Sequence, residues 1–119
     1  MSWKKKNDMR LKHEHPITFN TGCRIYSIEQ KSLAKDNLYG DVDFEKGIIR
    51  VHPLENEEEY KNTLLHEIVH VGYHMFGLGD DDDLPGINNE FLTLITTNFL
   101  RLFTNLNPEL FDYLFKKPT

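Results

Sequence analysis

Only one cysteine, Cys23, occurs in the 119 residues. A lone thiol closes no intrachain disulfide and cannot build a cysteine-ligated zinc site, so a metal would have to be held by histidines and carboxylates. Cys23 sits beside Arg24 with no histidine partner and reads as a strand residue rather than a reactive thiol. Long hydrophobic runs are missing as well. No apolar stretch follows the basic start as in a secretory signal, and none approaches membrane-spanning length, so the expected location is the cytoplasm, with no membrane partner. Positive charge is short too. Fourteen Lys and Arg against 19 Asp and Glu give a formal net charge of −5, which disfavours a nucleic-acid partner held by phosphate neutralisation. Lys4, Lys5, Lys6, Arg10 and Lys12 crowd the start, but Trp3 is their only aromatic neighbour and no nucleic-acid motif accompanies them. Residues 1–15 therefore read as a polar basic segment, and 16–119 as one domain.

The length permits a single core and leaves no room for separate substrate-binding domains. Eight Phe and five Tyr supply bulk for that core. Short strands are expected at Ile17 to Phe19 and Arg24 to Ile28, separated by Asn20, Thr21 and Gly22. Residues Lys31 to Asn37 read as a loop or one helical turn. Gly40 to Phe44 and Ile48 to His52 flank Glu45-Lys46-Gly47, a hairpin pattern in which Gly47 can take positive φ. Pro53 ends the second of these strands, and Asn56, three positions before Glu59, has N-cap spacing. A helix is expected over Glu57 to Phe76, stopping at Gly77-Leu78-Gly79. After an acidic loop, Asp80 to Asp83 with Pro85-Gly86, a second helix should run from Asn88 or Asn89 to Thr104. A third should begin at Pro108 behind an Asn107 cap and end at Lys116-Lys117. The fold class is α+β: a small antiparallel or mixed sheet with a hairpin, then three helices.

The first of these helices carries His66-Glu67-Ile68-Val69-His70. Histidines four residues apart project from one helical face and can hold one Zn²⁺, while Glu67 can act as base toward a water beside the metal. At about 100° per residue, Thr63, His66, Glu67, His70 and His74 share a wedge of roughly 100°. Leu64, Leu65, Ile68, Val69, Val71, Met75 and Phe76 occupy the remainder. A helix so largely apolar should be buried, and a buried polar stripe is costly unless paired or metal-bound. His74 lies about 12 Å along the axis from His66, too far to share its ion, and is a candidate proton donor or groove residue. Catalytic zinc takes a third protein ligand. Glu90, opening the next helix, is the first choice, and one of Asp80 to Asp83 the second. The metzincin pattern fails, because its glycine and third histidine would fall at Tyr73 and Phe76.

Three segments together, Ile48-Ile49-Arg50-Val51, Thr63-Leu64-Leu65-His66-Glu67-Ile68-Val69-His70 and Asn89-Glu90-Phe91, make the chain resemble the small phage and mobile-element metallopeptidases of the ImmA/IrrE type. The likeness spans roughly residues 23 to 115. It implies a gluzincin-like site with His66, His70 and Glu90 as zinc ligands and Glu67 as catalytic base, acting on a regulatory protein inside the cell. Two features depart from the pattern. No helix-turn-helix or sensor domain is expected within these residues, and Leu94 stands where a buttressing Asp would follow Glu90 by one turn. Oxyanion donors could come from His74, Tyr73 or His52, and the edge of the sheet could align an extended peptide. A different class of function also fits: a metal-stabilised protein that binds and modulates a partner without cutting it, in which Glu67 is dispensable.

Overall fold

Residues 11–78 and 89–117 are described in the computed structural model of the chain. The chain folds as an α+β unit, a four-stranded mixed sheet followed by three helices. The strands are β1 (Thr18–Asn20), β2 (Ile25–Gln30), β3 (Gly40–Asp43) and β4 (Ile48–Val51), in the order β1-β2-β4-β3. β2 pairs antiparallel with β1 and parallel with β4, and β3 returns antiparallel along the other side of β4. Among the described residues β3 is thus an edge strand, paired on one side only, with β4.

Register follows from side-chain alternation. Phe19, Tyr26, Ile28, Ile49 and Val51 are buried on one face, while Thr18, Ser27 and Glu29 are exposed on the other. Between β2 and β3 the segment read as a loop or turn forms a short 3₁₀ turn, Ala34–Asp36. The hairpin of β3 and β4 closes as its residues suggest: Gly47 has φ +72° and its N–H donates to the Asp43 carbonyl at 2.8 Å. Arg24 adds a clamp that the hairpin pattern does not announce, its guanidinium donating to the carbonyls of Phe44 and Glu45.

The helices are α1 (Glu57–Met75), α2 (Asn89–Leu106) and α3 (Pro108–Phe115). Asn56 caps α1, its Oδ1 accepting from the Glu59 N–H at 3.0 Å. The stop is a Schellman arrangement, with Leu78 N–H to the Tyr73 carbonyl and Gly77 N–H to that of His74. The expectation that α1 is buried on almost every side needs correcting. Tyr60, Leu64, Ile68 and Val71 pack under the sheet and against α2 and α3, but Leu65, Val69 and Met75 are half-buried and His66 and His74 are exposed. One sheet and two helices cannot surround a helix of 19 residues. Asn107 occupies the cap position of α3 without capping it. Its side chain is turned to β1, accepting from Asn20 N–H and donating to Asn20 O, both at 2.7 Å, and donating to Phe103 O at 2.9 Å.

Candidate metal centre

α1 packs against β3 and β4, with His66, Glu67 and His70 of its polar stripe facing the β3 side. His66 and His70 come together as their spacing dictates, the two Nε2 atoms 3.0 Å apart and the rings edge to face at 4.6 Å. Two Zn–N bonds of about 2.0–2.1 Å at the tetrahedral angle hold their nitrogens about 3.3 Å apart. The imidazole pair therefore already has close to the spacing of two zinc donors. The donor chemistry fits as well, since neutral imidazole is a common zinc ligand and the exposed His66 leaves the pair open to solvent.

Glu67, between them in sequence, is only 7 % exposed. The reason is Gly40. A methyl group at Gly40 would stand 3.1 Å from Glu67 Cγ and 3.2 Å from its Oε2, so the bare backbone of β3 lies directly on the carboxylate arm. Gly40, Asp41, Val42, Phe44, His66, Glu67 and His70 line one open hollow of about 300 Å³. Asp41 is tied to the Arg50 guanidinium by two hydrogen bonds, one of 2.7 Å from Nε.

Other expected participants have different employment. His74 stacks on Phe44, centroids 3.9 Å apart and planes 16° apart. Tyr73 pairs its hydroxyl with Thr96 Oγ1 at 3.2 Å, joining α1 to α2. His52 Nδ1 accepts from the Leu33 N–H at 3.0 Å, anchoring the loop after β2. Glu90 is exposed in the first turn of α2, roughly 180° round the helix from the buried Phe99. It lines a separate hollow with Thr93, Leu94 and Thr97 rather than the histidine hollow. Among the described residues no three His, Cys, Asp or Glu side chains converge as a metal-holding group. Asp80 to Asp83, the alternative source of a ligand, lie outside the described residues.

The motif did not point to Gly40, Val42 and Phe44. Their signal was the strand period of two, which turns residues 40, 42 and 44 to the helix side once the hairpin is placed. The class defined by these elements is an α+β domain whose first helix offers two histidines and a glutamate beneath a sheet edge. No protein-family profile, curated protein or solved structure matches the chain. Among the described residues, no helix is long and apolar enough to cross a membrane.

Proposed function

We propose that the chain is a zinc-dependent peptidase that hydrolyses a peptide bond of a protein substrate. The observation that carries this reading is the convergence of the His66 and His70 Nε2 atoms at 3.0 Å beside a shielded Glu67, in a hollow floored by an edge strand. His66 and His70 would hold the ion through Nε2. A bound zinc would supply Lewis acidity toward water and the substrate carbonyl. Glu67 takes the proton of the attacking water on a carboxylate oxygen and passes it to the amide nitrogen as the C–N bond breaks, so water ends divided between the new carboxyl and amine. The outer edge of β3, unpaired among the described strands, offers N–H and C=O groups to an extended peptide, which aligns the bond to be cut over the histidines. A regulatory protein is the target class implied by the resemblance to the ImmA/IrrE-type peptidases.

A second reading, the metal-stabilised interaction protein, is favoured by one observation: among the described residues no third His, Cys, Asp or Glu completes a metal-holding group with the histidine pair. Purified protein separates the two. The peptidase reading expects one zinc per chain, cleavage abolished by chelation, and a Glu67→Gln variant that keeps its zinc but loses turnover by about 10²- to 10⁴-fold. Unchanged cleavage by Glu67→Gln sinks the mechanism. Zinc without cleavage, together with partner binding that survives Glu67→Gln and is lost in His66→Ala, establishes the interaction reading instead. Zinc retained at wild-type affinity by Glu90→Ala assigns the third ligand elsewhere.

A further inference from the structure

We propose that Phe44, flanked by Val42 and braced by His74, is the specificity-determining residue of this site. The substrate is then a polypeptide carrying a large apolar side chain, aromatic by preference, next to the bond that is cut. This inference rests on the peptidase reading and adds to it a substrate class.

Where Phe44 lies is set by the course of β3. Its inward residues follow the polar stripe of α1: Gly40 lies against Glu67, and Phe44, immediately beyond the strand, lies against His74. Phe44 lines the same hollow as His66, Glu67 and His70. A peptide bond held over the histidines therefore has a neighbouring side chain within reach of the Phe44 ring. A hollow of about 300 Å³ has room for that bond and one large side chain.

Phe44 is also held still. One face of its ring is stacked on His74 at 3.9 Å. Its carbonyl accepts from Arg24 Nη1, and the turn that follows is closed by the Gly47 N–H on Asp43 O at 2.8 Å. An aromatic wall fixed before the ligand arrives gives up little rotamer freedom on binding, which is what selection by contact requires. The charges around the hollow point the same way. Of the two carboxylates among its described lining residues, Asp41 is taken up by Arg50 and Glu67 sits at the reacting end. Neither welcomes an acidic side chain, and Val42 with Phe44 forms the apolar part of the wall.

The test uses the full-length zinc-loaded protein and a proteome-derived peptide library, with cleavage positions read by mass spectrometry. Wild type is expected to show aromatic residues enriched at one fixed position beside the cut. Phe44→Ala should flatten that enrichment, and Phe44→Leu, which keeps apolar packing at the hairpin, should move it toward aliphatic residues. A readout independent of turnover accompanies this. In a Glu67→Gln background, fluorescence anisotropy with one selected peptide and its Phe-to-Ala counterpart should show a preference of about tenfold that Phe44→Leu removes. Enrichment unchanged in both Phe44 variants, or equal binding of the two peptides, overturns the assignment. Cleavage with no side-chain preference overturns it while leaving the peptidase reading intact, whereas no cleavage by wild type brings down that reading itself.

Discussion

Glu67 lies against the bare backbone of β3 and is buried there. The pentapeptide assigns it a role and helical spacing puts it beside His66 and His70, but its surroundings come from Gly40, far away in sequence. A Gly40→Ala methyl would meet Glu67 Cγ at 3.1 Å, Oε2 at 3.2 Å and the Arg50 carbonyl at 3.2 Å. At these separations the neighbours must give by a few tenths of an ångström, and because the Arg50 carbonyl is held in the sheet a net loss of about 1 kcal/mol is expected. The Arg50 share of the cost is independent of Glu67, and the rest disappears when the carboxylate arm is removed. Gly40→Ala should therefore destabilise less in a Glu67→Ala background, with a coupling of about 0.5 kcal/mol or more in a double-mutant cycle measured by chemical denaturation. Additive effects would mean that the strand does not press on the glutamate. The two histidines were readable because helix geometry alone joins them. Gly40 was not, because its importance lies in an atom it lacks and in a partner on another element.

At the level of elements the order along the chain was legible almost throughout. Helix starts and stops are written in local chemistry, such as Asn56 before α1, Gly77 after it and Pro108 at the head of α3. Pairings between distant elements are not written that way. The parallel contact of β2 with β4, which pushes β3 to the edge and so creates the hollow, has no local signature. Asn107 makes the same point. Sequence reads it as a cap, whereas its side chain joins β1 to the junction of α2 and α3 by three hydrogen bonds and is 8 % exposed. Removing it strands the Asn20 N–H and carbonyl, so Asn107→Ala should cost about 2–4 kcal/mol in urea unfolding. Asn107→Asp should cost at least as much, since it keeps the acceptor for Asn20 N–H but turns a carboxylate oxygen toward two carbonyls. An Asp variant as stable as wild type would show that the donor side of this clamp contributes nothing.

Across the whole molecule, a buried polar cluster joins the segment before β1 to the sheet, α1 and α3. His15, 1 % exposed, has Nδ1 2.7 Å from the Pro16 carbonyl. A carbonyl only accepts, so Nδ1 carries the proton and the bare Nε2 accepts from the Tyr60 hydroxyl at 2.5 Å. Gln30 Nε2 lies 3.3 Å from the same nitrogen, and Tyr113 donates to Glu57 Oε2 at 3.0 Å alongside. None of this follows from a periodic pattern, and residues 11–15 read as polar tail although His13 and His15 are both buried. Burial holds the His15 pKa below its ordinary value; the Pro16 carbonyl opposes that, His13 reinforces it and Glu57 opposes it. Burial, with Glu57, drives Tyr60 well above the usual tyrosine range, so its hydroxyl stays a donor. The sign of the pH dependence follows. The unfolded chain takes up the His15 proton near pH 6.5 and the folded chain only at lower pH, so stability is intact above about 6.5 and falls below it, by up to about 1.4 kcal/mol per pH unit for this one group. His15→Phe should be less stable than wild type at pH 7.5, having lost the acceptor for Tyr60. That deficit should shrink as the pH is lowered through 6 toward 5, because only the wild type must bury a group that is gaining charge. Urea unfolding of both proteins across that range checks it: converging curves support a buried neutral His15, and parallel curves would show that some other group carries the acid sensitivity of the fold.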